Sequence, residues 1–241
     1  MMFQEYIQGK LKTKTIAEFL AVKHKDIISV AGAGGKTTTI NLLAKELVDK
    51  KQKILVTTTT KMFKTKEMVI VPSIKLIREK LIKENLVITG KDFGTKITAW
   101  DNEFLAKIIP LVDITLIEAD GAKRLPFKMP KEHEPVYLKN SNKVAYIIGI
   151  SALNQPLKNL CRAELLIKFL QKDGEEKLTK DDIIKVILSE YGAKKNTNQR
   201  EFYLIINQVD TLNLYQEAVY LASNLAKYNL KVAISSYKEK Y

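Results

Sequence analysis

The stretch IISVAGAGGKTTTINLLAKEL, residues 27–47, decides the fold. Its apolar run at 27–31 is continuous, as expected of a strand buried on both faces. Gly32, Gly34 and Gly35 then break the run, and Lys36, Thr37 and Thr38 follow. Beyond them Ile40, Leu43, Ala44, Leu47 and Val48 fall at the spacing of an amphipathic helix. Strand, glycine turn and helix together gather backbone N–H groups and a helix N-terminus around an anion. The stretch therefore predicts a phosphate-binding loop. Gly32, Ala33, Gly34 and Gly35 shape its cradle, Lys36 reaches the β and γ phosphates of a nucleoside triphosphate, and Thr37, with Thr38 beside it, offers a hydroxyl to Mg2+. Val30 stands where the G-x-x-x-x-G-K-[ST] pattern has its first glycine, so the loop is a shortened form. The dinucleotide pattern G-x-G-x-x-G fails at Thr37.

Working outward, further apolar runs recur at 54–57, 86–89, 114–119, 144–150, 202–206 and 231–234, with helical patterns between them. Alternating strands and helices predict an α/β fold of three layers, with a mostly parallel central sheet, helices on both faces and ligands at the carboxyl ends of the strands. Residues 1–241 read as one domain. The segment 152–195 lacks a strand pattern and reads as a helical insertion. In it Thr179 and Asp182 form a capping-box start, Ile183, Ile184, Ile187 and Leu188 give a helical face, and Gly192 is placed as a stop.

If residue 36 anchors phosphate, an acid is expected at the end of a neighbouring buried strand. DITLIEADGA supplies Glu118 and Asp120, which alternation places on one side of the strand, to hold Mg2+ or polarise a nucleophile. FYLIINQVD ends a buried strand in Asn207 and Asp210, like the guanine-reading N-K-x-D motif of GTPases, with Gln208 in the lysine position. That leaves GTP and ATP both open. VTTTTKMF should project Thr58, Thr59, Thr60 and Lys61 from a strand end toward the phosphates or a second anionic substrate. DGAKRLPFKMPKEHEPVY, residues 120–137, is too rich in proline for a helix and too charged for a buried strand. Phe127, Met129 and Val136 suggest that it docks, making Lys123, Arg124, Lys128, Glu132, His133 and Glu134 candidate substrate or switch residues. His133 is the candidate for proton transfer near neutral pH.

The formal charge of +13 invites a polyanion, yet only four of the forty basic residues are arginine and the lysines are scattered. That distribution argues against nucleic acid as the main partner and leaves a non-catalytic nucleic-acid-binding module as an alternative. The single cysteine, Cys161, excludes an internal disulfide framework, and His24 and His133 lie far apart. Nowhere do about 18 apolar residues run together, so a cytoplasmic protein with no membrane association is expected.

The ordered set G-A-G-G-K-T-T, V-T-T-T-T-K-M-F, E-A-D-G-A, L-P-F-K-M-P-K-E-H-E-P-V and N-Q-V-D resembles the selenium-dependent hydroxylase accessory proteins of the YqeC type, over about residues 28–236. The resemblance implies a P-loop NTPase-like domain that supports maturation of selenium- or molybdenum-dependent hydroxylases, with the hydroxylase or its cofactor as partner. By position it implicates Gly32, Gly34, Gly35, Lys36, Thr37, Thr58, Lys61, Glu118, Asp120, Lys128, His133, Glu134, Asn207 and Asp210. Hydrolysis or phosphoryl or nucleotidyl transfer is the expected chemistry, with Lys36, Glu118, Asp120 and His133 as the catalytic set. The short loop is also similar to the G-T-N-G-K-T loop of Mur-type ligases, so ATP-dependent activation of a carboxylate as an acyl phosphate is a further alternative.

Overall fold

The computed structural model describes residues 1–238. Strands β1 (Met2–Ile7), β2 (Lys10–Thr13), β3 (Ile27–Gly32), β4 (Ile54–Thr58), β5 (Lys61–Phe63) and β6 (Leu86–Ile88) are followed by β7 (Lys91–Phe93), β8 (Lys96–Thr98), β9 (Ile114–Glu118), β10 (Lys143–Gly149), β11 (Glu201–Asn207) and β12 (Lys231–Ser236). The helices are α1 (Ile16–Phe19), α2 (Lys36–Asp49), α3 (Ile74–Glu84), α4 (Asn102–Ile108), α5 (Ala163–Leu170), α6 (Lys180–Leu188) and α7 (Leu212–Ala226).

Nine strands form the central sheet in the order β2-β1-β12-β11-β10-β3-β9-β4-β6. From β12 to β6 every pairing is parallel, and β1 and β2 close one edge antiparallel. The parallel strands are the apolar runs read from the sequence. Alternation sends their side chains to two cores. Ile28 and Val30 of β3, with Ala145 and Ile147 of β10, pack beneath α1 and α2. Ala31, Val144, Tyr146 and Ile148 join α5, α6 and α7 on the opposite face. Leu55 and Val87 meet α3 and α4 on that second face. At about 1.5–3 kcal/mol per fully buried large apolar side chain, these two layers supply the main drive to fold.

The helix α6 starts at Thr179, whose hydroxyl accepts from Asp182 N in a full capping box. It ends with Ser189 in extended backbone, and Gly192 lies farther on, closed against the carbonyl of Val186. Residues 152–195 carry α5 and α6 and no strand, and both helices pack into the sheet's core. Among the described residues no helix is long and apolar enough to cross a membrane.

From β3 the chain runs through α2 to β4 and returns to β9, which inserts between them; after β9 it crosses to β10 on the other side of β3. The strand order thus reverses around β3, and a crevice at its carboxyl end is where such sheets bind ligands. The glycine turn and the 120–137 segment both lie there.

A second sheet was not visible in the sequence. Its order is β5-β8-β7, all antiparallel. Each strand is only three residues long and rich in lysine, so no apolar run announces it.

Candidate active site

The glycine turn is built for close approach. Gly34 has φ of 82°, and a Cβ there would lie 2.4 Å from the nitrogen of Gly149. Gly35, at φ 131°, would meet the Asn207 side-chain nitrogen at 2.3 Å. Both positions therefore exclude a side chain. The first three loop amides are spent inside the protein: Gly32 N donates to Asp120 Oδ2 at 2.9 Å, Ala33 N to the Ile147 carbonyl at 2.8 Å and Gly34 N to the Leu125 carbonyl at 3.1 Å. Gly35 is the α2 N-cap without a side-chain cap, and among the described residues the N–H groups of Gly35, Lys36, Thr37 and Thr38 have no hydrogen-bond partner. The free donors that could meet an anion therefore begin at Gly35, three residues after the Gly32 start of the cradle read from the sequence.

Beneath that turn, the Thr37 hydroxyl donates to Glu118 Oε2 at 2.9 Å. Burial holds the Glu118 carboxyl above its ordinary range, against the pull of Lys36 and of the Thr37 hydrogen bond. Asp120 has other partners. Besides Gly32 N it meets Lys36 Nζ at 3.3 Å and the ammonium of Lys128, and it is fully buried. Lys36 also donates to the Gly32 carbonyl at 2.9 Å, so it lies folded back under the loop.

The 120–137 segment extends this network. Phe127 and Met129 are buried as docking residues, whereas Val136 is 39% exposed and is held by its backbone instead, which pairs with Ala119 O and Thr59 Oγ1. Lys128 Nζ donates to the Gly121 carbonyl at 3.0 Å and lies 3.6 Å from Glu134. Burial, and the neighbouring Lys36 charge, depress the Lys128 ammonium, while Asp120 supports it. Arg162, at the start of α5, closes the cluster: it meets Glu134 at 2.7 Å and donates to Gly121 O at 2.9 Å. No motif flagged Arg162; its being one of four arginines in a lysine-rich chain was the one available signal.

A cleft of about 1420 Å3 opens over this end of the sheet. Of the residues singled out in the sequence it is lined by Gly34, Gly35, Lys36, Thr37, Thr38, Thr59, Thr60, Lys61, Glu118, Lys123, Arg124, His133, Glu134, Val136 and Gln208. Gly32, Ala33, Thr58, Asp120, Lys128, Glu132, Asn207 and Asp210 do not line it. Several of these hold its wall. The Thr58 hydroxyl donates to Glu118 O at 2.9 Å, and the Asn207 amide donates to Gly34 O at 2.8 Å while accepting from Ser235. Asp210 accepts from Ser236 Oγ at 2.7 Å and meets Lys238 at 2.8 Å. Glu132 is exposed and contributes only its carbonyl, to Lys195. Gln208 has φ of 65° and accepts from the Ser151 hydroxyl.

Hydroxyl and carboxylate oxygens at Thr37 and Glu118 are the donors of a hard cation. Among the described residues no group of three or more His, Cys, Asp or Glu could hold a metal alone.

The profile of the family described as "YqeC protein" matches residues 28–164, which spans the glycine turn, Arg162 and the cleft-lining residues other than Gln208. The Escherichia coli (strain K12) protein YqeC is 30% identical over 193 residues, covering 74% of each chain. With that profile matching more than half of the chain and a relative 30% identical across 74% of each chain, the chain belongs to the YqeC family.

Proposed function

We propose that the chain binds a nucleoside triphosphate, GTP or ATP, with Mg2+ at the first turn of α2, and hydrolyses it or transfers its phosphoryl or nucleotidyl group. The observation that carries this is the Thr37 hydroxyl held on Glu118 directly below unpartnered helix amides. Such amides stabilise charge on phosphate oxygens without reorganising. In this reading Thr37 and Glu118 hold Mg2+, which would neutralise the phosphates and draw charge from the transferring group. Lys36 leaves Gly32 O and swings to the phosphates, and Lys128 remains as the counter-charge of Asp120. His133 stands at the cleft for proton transfer, and Asn207 braces the loop through Gly34 O. The resemblance to selenium-dependent hydroxylase accessory proteins supports a role in maturing a selenium- or molybdenum-dependent hydroxylase.

Melting temperature with GTP, ATP and CTP, each with and without Mg2+, tests the reading, because a ligand of the folded state alone must raise it. A Mg2+-dependent rise for at least one triphosphate is expected, and it is lost in Lys36→Ala measured against that variant's own ligand-free melting temperature, which the broken buried pair with Asp120 lowers. No rise for any triphosphate, or a normal rise in Lys36→Ala, overturns the assignment.

A further inference from the structure

We infer that the cleft has a second subsite, across from the phosphate turn, for a planar aromatic ligand that carries an anionic group. A pocket for one small ligand commonly occupies about 300–1,000 Å3, and this cleft is larger, at about 1420 Å3. Its far wall is the small sheet. Met62 and Ile97 are cross-strand partners buried on one face, so alternation puts Phe63, Lys96 and Phe93 in a row on the other, with Lys61, Thr98 and Lys91 in the next row. That face carries no acid: Asp92 pairs with Ile97 on the buried side and meets Lys64.

Phe63 is 54% exposed and lines the cleft. The Arg124 guanidinium lies 4.8 Å from its ring centroid and Lys96 Nζ 4.9 Å, so an aromatic, a planar cation and an ammonium converge there. Arg124 reaches across from the other wall, where Lys123 and Arg124 adopt left-handed backbone at φ of 50° and 62°. Phe93 holds Lys61 in place, its ring 3.8 Å from Nζ. Nearby carboxylates are engaged elsewhere: Glu134 by Arg162, Asp120 by Lys36 and Lys128, Asp92 by Lys64. Exposed rings flanked by uncompensated cations recognise a flat π-system by stacking and its anionic substituent by charge. The subsite follows β4, whereas Asn207 and Asp210 follow β11 on the other side of β3, so a base read at that side would not occupy it.

The inference rests on the nucleotide reading only in giving the other end of the cleft to the triphosphate, and the two fail separately. Flavin mononucleotide is the probe, followed by fluorescence polarisation, beside the nucleotide's melting shift on the same proteins. Saturable binding is expected, undisplaced by excess Mg2+–nucleotide and kept in Lys36→Ala. Phe63→Ala and Arg124→Ala should each weaken it about tenfold, leaving the nucleotide shift intact, and riboflavin, without the phosphate, should bind about tenfold more weakly. The inference falls if no saturable binding occurs, if Phe63→Ala binds normally, or if Mg2+–nucleotide displaces the probe. Displacement by inorganic phosphate at equal concentration would reduce it to an anion site, and preferential displacement by a single-stranded RNA would make the wall a polynucleotide face; either overturns it. Probe binding without any nucleotide shift would leave this subsite standing and sink the nucleotide reading.

Discussion

The two ends of the central sheet each bury a lysine, and they use it in opposite ways. At the amino end Lys143, 1% exposed, donates to Ala21 O and to Glu201 Oε1, each at 3.0 Å, and lies 3.5 Å from Asp26. Asp26 accepts from Asn142 and from Lys23 N, and Asn142 in turn receives Ile27 N. No atom of Lys143, Asp26 or Asn142 is left buried without a partner among the described residues. At the carboxyl end Lys128, 2% exposed, meets Asp120 and Glu134, and around those acids Arg162 Nε and the Tyr137 and Tyr146 hydroxyls are buried without a hydrogen-bond partner among the described residues. Burial raises both tyrosines, so their hydroxyls stay protonated there. A buried charge is therefore no marker of function in this chain. What separates the ends is incomplete satisfaction beside a cleft, the state in which a ligand or a rearrangement has something to gain.

The comparison breaks most readily at the amino end. Lys143→Met removes the ammonium that meets Asp26 and leaves the buried carboxylate to the Asn142 amide and the Lys23 N–H, and breaking a buried pair this way costs about 3–5 kcal/mol. Urea unfolding should show that loss, while the surviving folded fraction keeps its Mg2+–triphosphate shift. A small loss would mean that the Asn142 amide and the Lys23 N–H alone hold Asp26, and the two ends would differ less than the geometry says.

The same exchange at the other end should be milder for folding and harsher for binding. In Lys128→Met, Asp120 keeps Gly32 N and Lys36, and Glu134 keeps Arg162, so stability should fall by only about 1–2 kcal/mol. Once Lys36 moves to phosphate, however, Asp120 has no counter-charge left, and triphosphate affinity should drop about tenfold by calorimetry. An unchanged affinity would show that Lys36 stays on Asp120 during binding.

The sheet was legible in the sequence because its parallel strands are buried on both faces and so read as continuous Ile, Val and Leu. The strands missed are those without that signature: β1 and β2 form an edge hairpin, and β5, β7 and β8 carry lysines on an open face. Glu118 and Asp120 were legible from their place at a strand end, but not their division of labour, with Glu118 on Thr37 and Asp120 on the loop amide and two lysines. That division depends on Lys128 and Arg162, which reach the cluster from an irregular segment and a helix start that no periodicity connects to β9.

The smallest expected effect is also the one that gives the two ends opposite signs. The Tyr203 hydroxyl, Lys143 and Lys231 hold Glu201 down to about 2 against an ordinary 4.5. A carboxyl depressed by folding stabilises the protein above the unfolded value, and that gain is lost as pH falls from about 4.5 through about 2. Glu201→Gln should therefore lower the melting temperature at neutral pH, by a modest amount because the side chain is 49% exposed and screened, with the difference from wild type closing in acid. Glu118 is raised by burial, so its contribution to stability is fully present below the ordinary 4.5 and is lost as pH rises through the elevated folded value. Glu118→Gln, which removes the ionisation while leaving an oxygen to accept from Thr37, should gain on wild type as pH rises and lose the Mg2+-dependent triphosphate shift. Melting curves of the two variants between pH 3 and pH 8 should diverge from wild type in opposite directions. Parallel curves would mean that the carboxyl at the cleft is as well satisfied as the one at the amino end, and the burial that raises Glu118 would have no thermodynamic consequence.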